Sequence, residues 1–164
     1  MFRTLLFGVG FALALATALP ARAADTPAIA GVWWTPEHDG KIEIKVEASG
    51  AASGRLIAVS PEDADSLDDH NPDPSLRARP VLGLVIMRNF WPGKNGAWSG
   101  GRIYDPDSGT TYSGTLTLGD DGRLAMRGDV LFGLIGRTEI LERVTGSHPA
   151  TQQPGEPDLV YLER

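Results

Sequence analysis

The chain has 164 residues, 41% of them apolar, with no cysteine and a formal charge of −6. The acidic balance argues against nucleic-acid backbones and anionic lipid surfaces as partners. The lack of cysteine excludes disulfides, thiolate nucleophiles and zinc–thiolate clusters, so a domain of this length must stand on one core.

Met1-Phe2-Arg3 supplies a positive start, Leu5–Leu19 an uncharged apolar run, and Ala21-Arg22-Ala23 an A-x-A cleavage site after Pro20. The run is shorter than the roughly 20 apolar residues a bilayer span requires. Residues 1–23 are therefore expected to be a bacterial signal peptide cleaved near Ala23, leaving a periplasmic or secreted protein with no stable membrane span. Residues 24–30 read as a Pro/Ala linker, 31–144 as the folded domain and 145–164 as a Pro/Gln/Gly-rich tail. Within that tail, Asp158–Arg164 has the composition to add a short strand or dock on a face.

Gly31–Thr35 begins the fold as a short aromatic strand. Lys41–Glu47 alternates strictly, with Ile42, Ile44 and Val46 on one face and charges on the other, which predicts a half-buried strand with solvent on its second side. Gly54–Val59 reads as its hairpin return. From Ser60 to Pro80 the alternation stops, and a connection this long is functional or disordered more often than not. Pro61 and Pro74 are placed to open helical turns, with Asp73 as a cap. Val81–Met87 is apolar on both faces and predicts a strand covered twice, by this same loop folded over it.

Trp98–Arg143 is the clearest stretch. Asp105-Pro106-Asp107-Ser108-Gly109 and Gly119-Asp120-Asp121-Gly122 are turns with nameable chemistry, so the second half is an antiparallel meander. Eight strands are predicted, at 31–35, 41–47, 54–59, 81–89, 97–104, 110–118, 123–129 and 134–143. They suit an all-β, antiparallel up-and-down barrel with one long loop between the third and fourth strands; a sandwich is the alternative.

Closing such a barrel brings the first strand beside the last. Trp33 and Arg143 then meet as a structural plug, a cation–π contact at one barrel end. Alternation places Trp98, Arg102 and Tyr104 on one face of their strand, Tyr112 on a face of the next, and Arg137 beside Glu139 on the last. If these faces point inward, they line a cavity in which Arg137 fixes an anionic group. An inward Arg137 must otherwise find Glu139 or Asp105. Asp69, Asn71, Arg77 and Arg79 are the candidate gate: Asp69 and Asn71 cap turns, and the two arginines pair with nearby acids.

The loop's carboxylates suit calcium in kind, but the helix–loop–helix pattern fails at Asp68 and Pro74, where Gly and Glu belong. His38, His70 and His148 make no metal-ligand spacing, so neither metal nor cofactor is assigned. No nucleophile elbow, zinc-protease motif or phosphate loop is present, and no catalytic residue is named.

The order Gly31-Val32-Trp33, Asp69-x-Asn71-Pro72-Asp73, Arg77-x-Arg79-Pro80 and Gly83-Leu84 forms one half of a pattern. Trp98-x-Gly100-Gly101-x-Ile103-Tyr104-Asp105-Pro106, Gly109, Tyr112, Arg127-Gly128 and Gly136-Arg137-Thr138 form the other. Together they resemble the bacterial exported family numbered 2147 among domains of unknown function. That resemblance implies a small secreted, lipocalin-like barrel and carries no catalytic role. The expected function is non-enzymatic binding of a small apolar or anionic ligand inside the barrel. The alternatives are an envelope structural or protein-interaction module with a side-chain-filled barrel, and a carboxylate-pair hydrolase.

Overall fold

The computed structural model describes residues 28–130, 135–146 and 149–163. The expected leader and its cleavage site, and His148, lie outside the described residues.

Eight antiparallel strands follow one another in chain order, each bonded to the next, in a sheet that curls into a half-barrel. They are β1 (Gly31–Trp34), β2 (Gly40–Val46), β3 (Ala52–Val59) and β4 (Val85–Pro92), then β5 (Ala97–Asp105), β6 (Thr110–Leu118), β7 (Leu124–Val130) and β8 (Ile135–Leu141). The two turns bounding β6 fall where their chemistry puts them. At the first, Asp105 accepts from the Asp107 amide (3.1 Å) and the Ser108 hydroxyl (2.6 Å), and Gly109 takes φ +66°.

The chain beyond β8 returns to β1. Trp33 bridges Arg143, the Trp34 amide donates to the Glu142 carbonyl at 2.8 Å, and the Val144 amide to the Val32 carbonyl at 2.9 Å. One continuous sheet thus replaces the sandwich alternative.

The core occupies the concave face. Trp33, Ile42, Ile44, Met87, Phe90, Leu116, Leu124 and Leu141 are all fully buried there. Each such side chain contributes about 1.5–3 kcal/mol through removal from water. Packing between β4, β5 and β6 depends on glycine. The Phe90 ring lies where Cβ atoms on Gly101 and Gly114 would stand, 2.4 and 2.5 Å away, and Met87 Sδ occupies the same kind of space over Gly54 at 2.8 Å.

In the 60–84 connection Pro61 and Pro74 open helical turns and Asp73 caps the second, as expected. These short 3-10 turns span Pro61–Asp63 and Pro74–Leu76, Ser60 caps the first, and Leu67 bridges Pro80. β4 begins at Val85, because Leu56 already bonds Gly83 and Leu84 as the loop arrives. The outer face of β2 is not wholly solvated. β9 (Val160–Tyr161) pairs with the end of β3, and the tail preceding it covers Lys41, leaving that side chain with no exposure. The linker's end also joins the fold, since Ile29 is buried and its carbonyl accepts from Trp33 Nε1 at 2.9 Å.

Candidate functional site

Cross-strand register identifies the inward positions. Gly101, Gly114, Gly128 and Arg137 form one row across β5 to β8; Trp98, Leu116, Met126 and Glu139 form the next. Phe90 fills the first two positions of the glycine row. Beyond it the row stays open, and a cleft of about 270 Å³ remains, with Gly128 and Gly136 among its lining and Ile103, Tyr112 and Met126 as its apolar side. Its polar side is Asp105, Glu139 and Arg137. Arg137 Nε contacts the Glu139 carboxylate, yet the Arg137 side chain is 81% exposed. The Tyr112 hydroxyl has no hydrogen-bond partner among the described residues.

Of the five residues expected to line a cavity, Tyr112 and Arg137 come together here. Arg102 and Tyr104 do not. Gly100 takes φ +76° and shifts the β5–β6 register between Trp98 and Gly101, so one extra residue reverses the alternation. Ile103 and Asp105 therefore face the cleft, while Arg102 and Tyr104 face out. Trp98 does point inward, but as a buried core side chain rather than a cavity wall.

At the closing end, the Arg143 guanidinium stands 4.1 Å from the Trp33 ring centroid. It also donates to the Ala30 carbonyl at 2.9 Å and to that of Ala28. Desolvation lowers the Arg143 pKa from its ordinary value.

The loop residues meet the outer face instead of the cleft. Asp68 is fully buried, with Arg79 Nη2 at 2.5 Å and Asn71 Nδ2 at 2.8 Å from its Oδ2, and it accepts from the Tyr104 hydroxyl on its other oxygen. Burial opposes ionisation of Asp68, but the hydrogen bonds from Tyr104, Arg79 and Asn71 outweigh it and hold the carboxyl below its usual pKa. Burial, then the bond to Asp68, pushes the Tyr104 phenol up to about 12. Arg77 Nε donates to the Asn71 carbonyl at 2.7 Å, and Asn71 Oδ1 caps the Asp73 amide at 2.9 Å. Asp69, expected to cap, is exposed and pairs with His70 at 2.9 Å. It borders a separate opening with Leu56 and Val81.

None of the four expected gate residues lines the cleft beside Arg137. The anchoring acid is Asp68, which nothing in the acidic run distinguishes from its neighbours. Gly128 and Met126 were also missed, although three mid-strand glycines on consecutive strands were a readable signal.

A second buried ion ties down the tail. Lys41 Nζ lies 2.7 Å from Glu156 Oε2 and 3.2 Å from the Pro149 carbonyl, with the Trp34 and Tyr161 rings 4.6 and 5.2 Å away.

A curled up-and-down sheet with a lined inner cleft defines the class as a small lipocalin-like β-barrel. A solved structure described as "Protein HP1028 from the human pathogen Helicobacter pylori belongs to the lipocalin family" matches with a TM-score of 0.63 at 23% identity, covering 71% of this chain and 83% of that one. The chain belongs to the family described as an uncharacterized protein conserved in bacteria (DUF2147), whose model matches residues 31–143. A search of the curated proteins found no match. Among the described residues, no helix is long and apolar enough to cross a membrane.

Proposed function

We propose that this protein is an exported, non-enzymatic binding protein that takes a small, partly apolar ligand in the inner cleft. The observation that carries the reading is the open end of the glycine row, about 270 Å³ in volume. That lies just below the ~300–1,000 Å³ typical of ligand pockets and suits a small ligand. Ile103, Tyr112 and Met126 suit an apolar body. Arg137 suits a carboxylate or similar head, which would compete with Glu139 for the guanidinium. Trp33 and Arg143 act as the structural plug of this barrel.

The test is binding of an amphipathic fluorescent anion, anilinonaphthalene sulfonate, by wild type and by Gly128→Leu. A Cβ at Gly128 makes only ordinary contacts, with Tyr112 at 3.4 Å and Ile103 at 4.0 Å, so the substitution extends into the cleft from a position that Phe90 does not fill. Loss of probe binding with the melting temperature unchanged is the expected result. Equal binding by both proteins overturns the reading and favours the alternative of a filled interaction module, to which the packing of Phe90 and Trp98 already lends support. Export is checked separately by N-terminal sequencing of the periplasmic fraction, which should begin just after Ala23.

A further inference from the structure

We infer a second site, on the outer face of the sheet, for a small organic oxyanion such as a phosphate or sulfate ester. Arg88 on β4 and Arg102 on β5 are direct cross-strand partners. Like charges so placed repel, and they are tolerated where something else compensates them. Arg88 has no hydrogen-bond or ion-pair partner among the described residues, and Arg102 has only the Ser113 hydroxyl at 3.3 Å. Both border a cleft of about 330 Å³ that the latched loop closes from one side with Arg79.

Arg79 supplies the third observation. Its Nη2 is bound to Asp68, while its Nε is buried without a partner. A buried guanidinium N–H left unpaired is costly, so Arg79 stands on the cleft wall with its hydrogen-bonding capacity only partly met. Three guanidiniums on one cleft, in a chain of net charge −6, are a local reversal of the molecule's field. Asp68 is the buried carboxylate nearby, and it is already saturated by Tyr104, Asn71 and Arg79. The planar forks of Arg88 and Arg102 match an oxyanion, and Thr111 adds a hydroxyl. Ile86 and Pro72 give an organic substituent an apolar surface.

The experiment is calorimetric titration of phenyl phosphate at constant ionic strength. Wild type is compared with Arg88→Gln/Arg102→Gln and with the charge-matched control Lys45→Gln/Lys94→Gln, whose lysines are exposed elsewhere. Wild type should bind saturably at one site, and the arginine variant should bind at least about tenfold more weakly. The control should stay within about twofold of wild type. Arg102→Gln alone serves if the double variant does not fold. Gly128→Leu must retain the site, which separates it from the inner cleft. Absence of saturable binding, equal weakening in the control, or loss in Gly128→Leu overturns the inference. So does binding confined to phosphatidylglycerol vesicles, which would assign the arginines to a membrane surface.

Discussion

The two ends of the glycine row use the same missing side chain for opposite purposes. At Gly101 and Gly114 the absent Cβ admits Phe90, and the barrel there is solid. At Gly128 a Cβ would make only ordinary contacts with Tyr112 and Ile103, no ring occupies its place, and a cleft remains. A glycine on a strand's inner face thus sets only the depth of the sheet surface. What occupies that depth is decided by a residue far away in sequence.

The largest effect should come from blocking the filled end. Gly114→Val puts a Cβ against the fully buried Phe90 ring and against Ile103, and should cost about 3 kcal/mol in denaturant unfolding. Adding Phe90→Leu should recover part of that loss, and no recovery would mean the contact is not the cause. Gly128→Ala, at the open end, should stay within about 1 kcal/mol of wild type. Equal losses at both ends would break the contrast.

The outer-face anchors come next. Asp68→Ala should cost about 3 kcal/mol, since it leaves Arg79, Asn71 and Tyr104 without their shared acceptor. Cleavage between Ser60 and Pro80 under limited proteolysis should accelerate with it. Lys41→Met should cost less, about 2 kcal/mol, with protection lost across 149–163 and retained in β4 to β7.

The smallest effect is a pH dependence centred on the latch. The Asp68 pKa is depressed on folding, so its contribution is complete above the unfolded carboxyl value and fades as pH falls below about 4. The Tyr104 pKa is raised to about 12, so its contribution is complete below about 10 and fades between there and 12. Tyr104→Phe should weaken both limbs, leaving the alkaline dependence that Tyr161 contributes, whose pKa burial also raises. A pH–stability curve identical to wild type would show that the pair does not act as a latch.

The strands were legible because period-2 alternation and Asx-Gly turns are local properties. Ile42 and Ile44, the turn at Asp105–Gly109 and the meeting of Trp33 with Arg143 all followed from them and from barrel closure. Alternation misplaced Arg102 and Tyr104 because one glycine at φ +76° reverses every later side chain on the strand. The acidic loop resisted reading for another reason. Asp68 and Asp69 have the same chemistry, and only the position of Tyr104 on a neighbouring element makes one an anchor and leaves the other exposed.

The sequence by itself therefore determined the strand content, the turns and the up-and-down order, since these depend on near neighbours in the chain. Tertiary structure decided which glycines are filled, which acid is buried and which arginines are left uncompensated. Those outcomes depend on side chains that meet across strands and loops, where burial sets the energy of every unpaired group.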